Sequence, residues 1–261
     1  MTATARLLDQ RSIGHVSLHV ARTGPVCLRE AGAAKVRLPY GGRDAILINT
    51  GGGLAGGDAF GFDIACGAGA ALTVTSQAAE RVYRTLGPAA KITVSLKADA
   101  GAELLWLPQE TILYDGSSLS RSFAVALAPG ARFLAVEAVV FGRMESGETI
   151  QSVRLQDRWR ITRDGALVHG DDVRIDGSLP TGKAALNGAR AMASIIHVAE
   201  DAEGSLERVR AALGKNGGAS AWNGKLVARV LAQDGFHLRK ALIPALNALA
   251  GSSGLPKIWT L

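Results

Sequence analysis

The chain has 261 residues, 48% of them apolar and 20% charged, which gives length and apolar surface enough for a packed core and excludes a disordered protein. Its net charge of +6 and pI near 9.6 suit an acidic partner. The basic residues are scattered and aromatics are only 5%, which excludes a base-stacking platform for nucleic acid.

No apolar run approaches the ~20 residues of a membrane helix, and the opening MTATARLLDQR carries no export signal. A cytoplasmic chain with no membrane contact is expected. Strands come first. Val16, Leu18 and Val20 alternate with Ser17 and His19, and Val36 and Leu38 alternate with Lys35 and Arg37, a period of two. His15 and His19 have the spacing of a helical metal pair, but on a strand they stand roughly 13 Å apart. Cys27 and Cys66 are distant in sequence, each in an apolar strand context, and read as buried, reduced thiols.

The stretch NTGGGLAGGD, Asn49 to Asp58, meets the GxGxxG pattern through Gly51, Gly53 and Gly56. A dinucleotide loop must open a helix. Here DAFGFDIAC follows, with Phe60, Phe62 and Ile64 alternating, which is a strand. A nucleotide-binding enzyme using the Gly51 to Gly56 loop is therefore only the alternative reading. The glycines are assigned to turning and to close backbone packing.

A repeat follows. FDIACGAGAALTVTSQ from Phe62, VSLKADAGAELLWLPQ from Val94 and FAVALAPGARFLAVEA from Phe123 each read strand, Gly-Ala turn, strand. Gly69, Gly101 and Gly130 mark the turns, Leu72, Leu104 and Phe133 share one place after them, and Gln77 corresponds to Gln109. Repeated strand pairs predict stacked layers that bury each other's apolar faces. A strand from Ile150 to Thr162 turns at Arg163-Asp164-Gly165 into another around Leu167 and Val168.

The C-terminal third changes character. A strand is expected over Ala191 to Val198. Ser205 is placed as the cap of a helix carrying Leu206, Val209 and Leu213 and ended by Gly214. Asn223-Gly224 signals a hairpin into Lys225 to Leu231. A last helix from about Phe236 carries Leu238, Leu242, Leu246 and Leu249, with Pro244 expected to kink or restart it. The fold class is mainly β, with stacked β-layers resembling a β-helix or solenoid and about two α-helices in the C-terminal third. A single domain over 1–261 is expected, strand-rich over 12–200 and mixed over 201–261.

Catalytic sets are thin: no GxSxG, HExxH or Walker loop is present. His169-Gly170-Asp171-Asp172 reads as a solvated acidic turn, and His197 and His237 as structural residues. Two stretches are unusually polar for strand country, TSQAAERVYR from Thr75 and LPQETILYDG from Leu107. Gln77, Glu80, Gln109 and Glu110 either line a shared polar seam or satisfy backbone groups where layers turn.

NTGGGLAGGD, TSQAAERVYRT, WLPQETILYDG, FGRMESGE from Phe141 and the closing PKIWTL together resemble the urease accessory protein UreD family, called UreH in some bacteria. The likeness is colinear from Asn49 to the C-terminus. It implies a non-enzymatic maturation factor that binds the urease apoprotein and UreF, which recruits the GTPase UreG, so that nickel reaches the urease site. It implies no tightly bound cofactor, only transient Ni2+ on an internal passage. Carried onto this chain, the passage selects Asp58, Glu110 and Glu148, whose hard oxygens hold nickel weakly enough to release it. The competing reading has Asp58 bonding backbone amides in a glycine turn, and Glu110 and Glu148 pairing with arginines such as Arg81 and Arg143. Arg81, Tyr83 and Arg84 form a candidate partner-binding patch or a solvated strand face.

Overall fold

The computed structural model describes residues 11–39, 43–251 and 254–259. Two sheets dominate. The first has seven strands in the order β14-β13-β11-β8-β5-β1-β2: β1 (Ile13–Ala21), β2 (Gly24–Gly32), β5 (Ala59–Cys66), β8 (Ala90–Ala98), β11 (Ser118–Leu127), β13 (Val153–Arg163) and β14 (Ala166–Gly177). The second runs β16-β17-β15-β12-β9-β6-β4-β3: β3 (Ala34–Arg37), β4 (Asp44–Asn49), β6 (Ala71–Ser76), β9 (Glu103–Trp106), β12 (Arg132–Phe141), β15 (Ala191–Val198), β16 (Gly217–Trp222) and β17 (Lys225–Ala232). Short strands β7 (Glu80–Val82) and β10 (Thr111–Leu113) extend it beside β12.

The repeat is a stack of about 4 coils, in which each coil sends one strand to each sheet. Neighbouring coils pair in parallel, Phe62 beside Val94, Val94 beside Phe123 and Phe123 beside Trp159 in one sheet. In the other, Leu72 and Phe133 both lie beside Leu104. The turn glycines Gly69, Gly101 and Gly130 have φ of +63°, +66° and +72°, a conformation that costs a residue with a Cβ. Gly69 donates its N–H to Ala100 O and Gly101 to Pro129 O, so each turn rests on the next.

One apolar core lies between the sheets and contains Phe60, Phe123, Phe133 and Trp159. Phe123 and Trp159 stack with ring centroids 3.8 Å apart. The other face of the second sheet packs Leu105, Leu134 and Val136 against two helices, α1 (Leu206–Leu213) and α2 (Gly235–Asn247). Burial on both faces is why β12 reads FLAVEAVVF without alternation. Among the described residues no helix is long and apolar enough to cross a membrane.

Several local expectations are corrected. Ser205 does not cap α1: residues Ala202–Ser205 already turn as a 3-10 helix, so Ser205 has helical φ/ψ, and its Oγ accepts from Arg208 instead of an N-terminal amide. Asp234 caps α2, accepting from His237 N, and α2 continues through Pro244. His169 to Asp172 lie within β14 and not in a turn. Strand alternation separates the two carboxylates, Asp171 pairing with Arg229 and Asp172 with Arg158. Both cysteines are free, but only Cys66 is buried, and burial pushes its thiol up to about 12. Cys27 is half-buried because β2 is an edge strand.

His197 is buried on β15, with Nδ1 donating to Phe133 O at 3.0 Å. Burial, helped by the Arg132 charge, depresses its pKa from 6.5 to about 4. The unfolded chain therefore takes up a proton first as pH falls. The stability this group contributes is complete above pH 6.5 and is lost as pH drops to about 4, a change on the order of 3 kcal/mol. Urea unfolding of wild type and His197→Asn is expected to show a gap that narrows between pH 7 and pH 4.5. A gap independent of pH would remove the buried neutral imidazole as its cause.

Candidate functional site

A cavity of about 200 Å³ that opens to the surface is lined by the glycine loop and both polar stretches. Its outer walls include the exposed Gly52, Gln77 and Arg81 and the half-buried Asn49 and Glu80. Its inner walls include Trp106, Thr111, Arg121 and Glu137. That volume holds several water molecules at ~30 Å³ each.

The inner end is built from charges at positions where the strands face the core. Arg121 follows the parity of Leu119, Phe123 and Val125 on β11, and Asp157 that of Leu155 and Trp159 on β13. Register places Arg121 directly beside Asp157. Arg121 Nη2 meets Asp157 Oδ2 at 2.5 Å, Nη1 forms an ion pair with Glu137 and donates to Thr111 Oγ1 at 3.3 Å. Trp106 Nε1 donates to Glu137 Oε1 at 2.7 Å. All three charged side chains are buried. Burial raises the Glu137 carboxyl well above the usual carboxylate range despite the pull of Arg121, and the Asp157 charge pushes the same way. Two ionised carboxylates against one guanidinium leave an excess negative charge here, so Glu137 is poised to hold a proton or meet a cation. Gln109 Nε2 and Arg121 Nε make no hydrogen bond within the protein, which leaves the walls with spare donors.

At the outer end Glu80 accepts from Asn49 Nδ2 at 3.1 Å and from Arg81 N at 3.0 Å. Burial raises its carboxyl as well. Gly53 lies against Tyr83, where a Cβ would overlap the ring, and Tyr83 Oη donates to Gly52 O at 2.8 Å. The glycine loop is thus folded onto the next coil and leads into β5, with no helix to complete a phosphate cradle.

The sequence-predicted residues separate. Asp58 is buried, with Oδ1 accepting from Ser12 N at 2.7 Å and Oδ2 from Ala55 N at 2.8 Å. It ties the glycine turn to the start of β1. Glu148 accepts from Asp115 N and from the Arg143 amide and guanidinium. Burial works to raise its carboxyl, yet these hydrogen bonds hold it below its ordinary value. Glu110 lies 3.8 Å from Arg239 rather than beside Arg81. Arg84 pairs with Asp115 at 2.5 Å and Tyr83 packs edge-on to Tyr114, while the exposed Arg81 side chain lines the cavity. Among the described residues no three His, Cys, Asp or Glu side chains are grouped to hold a metal ion.

A family model described as UreD urease accessory protein matches residues 12–260. The chain belongs to the UreD family. It is 44% identical to "Urease accessory protein UreD" of Rhizobium leguminosarum bv. viciae, over 100% of this chain and 99% of that protein. It is 45% identical to proteins of the same name from Rhizobium etli and Brucella suis, in each case over 90% of this chain and 88% of the relative.

The motifs that suggested UreD converge in space. Gly52, Gln77, Pro108 and Gln109 share the cavity. Arg239 donates to Gln109 Oε1 at 2.6 Å and to Ile258 O at 2.7 Å, and Trp259 Nε1 donates to Leu107 O at 2.8 Å. The tail PKIW is thereby docked under the polar seam; Thr260 and Leu261 lie outside the described residues. YDG and FGRMESGE join through Asp115, Glu148 and Arg143 over the Tyr114 ring.

Proposed function

We propose that this UreD-family chain is a non-enzymatic urease maturation factor in the cytoplasm. It binds the urease apoprotein and UreF, which brings UreG, and nickel travels through the cavity as cargo. The observation that carries this reading is a cavity whose walls run from exposed polar residues to buried Glu137, assembled from the motifs by which the family is recognised.

The chemistry follows from charge and softness. Carboxylate and amide oxygens hold a divalent first-row ion more weakly than imidazole or thiolate sets and release it more readily. Glu80 meets the ion near the outside and Glu137 receives it inside, giving up its proton as the charge arrives. Arg121 keeps Asp157 and Glu137 apart and in place. Of the carboxylates selected from the family likeness, Glu110 does not line the cavity; it follows Gln109 and precedes Thr111, which do, and lies 3.8 Å from Arg239, so its part is beside the path. Asp58 and Glu148 are occupied by amides and by Arg143, and serve the path by fixing its walls. Arg81 offers a cation to a partner at the outer end.

Tagged chain expressed with the urease operon is expected to co-purify with urease subunits and the UreF homologue. Recovery of the chain alone, with all those proteins present in the lysate, would sink the proposal.

A further inference from the structure

A second, larger concavity of about 920 Å³ lies in the C-terminal third, between the 183–189 turn, the start of β16 and α2. Its charge is one-sided. Lys183, Lys215, Arg229, His237 and Lys240 line it, and no carboxylate does. Arg229 is neutralised by Asp171, and His237 is paired with Asp234 at 2.8 Å. Lys183, Lys215 and Lys240 are exposed, and their side chains make no ion pair or hydrogen bond among the described residues. Three unopposed cations around one cleft create a positive potential that concentrates anionic groups.

Shape narrows the class of ligand. No Phe, Tyr or Trp lines the cleft, and its imidazole and guanidinium groups, His237 and Arg229, are held by Asp234 and Asp171, so it lacks the aromatic platform on which nucleobases stack. A Cβ at Gly188 or Gly218, both in the lining, would touch nothing within 4 Å, so the walls are open to close backbone approach. Gly217 and Gly218 begin β16, the outermost strand of the second sheet, and an edge strand can pair with an extended chain; further along it Arg210 Nε already bonds Ala219 O, which leaves the Gly217–Gly218 end as the place for it. A second copy of this chain, at +6, is repelled.

We infer that this cleft docks an extended, Asp/Glu-rich segment of a protein partner, held by Lys183, Lys215 and Lys240 along the β16 edge. The inference rests on the cleft alone and does not depend on the nickel path.

Fluorescence anisotropy of a labelled oligo-glutamate peptide against the full chain tests it. The triple variant Lys183→Gln/Lys215→Gln/Lys240→Gln is expected to bind about tenfold more weakly, the effect of losing three rim charge pairs. A charge-matched control, Arg22→Gln/Arg29→Gln/Lys91→Gln, removes exposed cations remote from the cleft and is expected to change binding by less than about twofold. All six positions are exposed, and circular dichroism checks that both variants fold. Equal losses in the two triples would overturn the inference as general surface attraction. Tripolyphosphate displacing the peptide at far lower concentration than unlabelled oligo-glutamate would overturn it in favour of a small polyphosphate ligand.

Discussion

Arg121→Met is expected to destabilise the fold by about 3–5 kcal/mol, because it strands two buried carboxylates without their shared cation. For a chain of this size that is a fall in Tm of roughly 6–20 °C, read by thermal unfolding. The loss arises from desolvation and not from the strength of the ion pairs. Glu137 and Asp157 were taken out of water on the condition that Arg121 answers them; Trp106 adds one bond to Glu137 and Thr111 accepts one from Arg121, while Asp157 Oδ1 has no hydrogen-bond partner within the protein. The companion variant Arg121→Met/Glu137→Leu/Asp157→Leu removes all three charges and is expected to be as stable as wild type or more so. If the triple variant falls as far as the single one, packing and not charge governs this site. The companion also separates stability from function: a well-folded triple variant that fails to support urease activation assigns the buried charges to function.

Glu137→Gln is expected to lower urease activation in cells by about tenfold or more, of the order seen when one partner of a metal-handling shell is lost, while pull-down of partners is unchanged. The substitution is nearly isosteric; the amide oxygen still accepts from Trp106 Nε1, while the NH2 takes the place of the oxygen that met Arg121 Nη1. What disappears is the ability to exchange a proton for a cation. Asp157 and Arg121 then balance each other, and the inner end of the cavity becomes neutral. Activation and pull-down falling together would make Glu137 a structural residue.

The coil architecture was legible in the sequence because its signal is local. Gly69, Gly101 and Gly130 mark turns with positive φ, and the alternation around Phe62, Val94 and Phe123 fixes which face is buried. The polar seam was legible in part: Gln77, Glu80 and Gln109 line one cavity, whereas Glu110 is not among its lining residues and faces Arg239. The buried triad was missed, although its signal was present. Arg121 and Asp157 stand at inward parity in alternating strands, and Glu137 interrupts an apolar run on β12; a charge in such a place needs a partner from another strand. Which partner depends on register between coils, and that is set by packing across strands distant in sequence. The same limit explains Asp58 and Glu148. Their residue type suits a metal path, but only the fold reveals that amides and Arg143 already occupy their oxygens. Ser205 shows the converse: a good capping residue is overridden when the preceding residues enter the helix already turning.

Nickel content of urease purified from cells lacking this gene tests the account most directly. Metal analysis is expected to find urease subunits made in normal amount but nearly free of nickel, with nickel restored by the wild-type chain and not by Glu137→Gln. Fully nickel-loaded urease from the deletion strain would contradict the account.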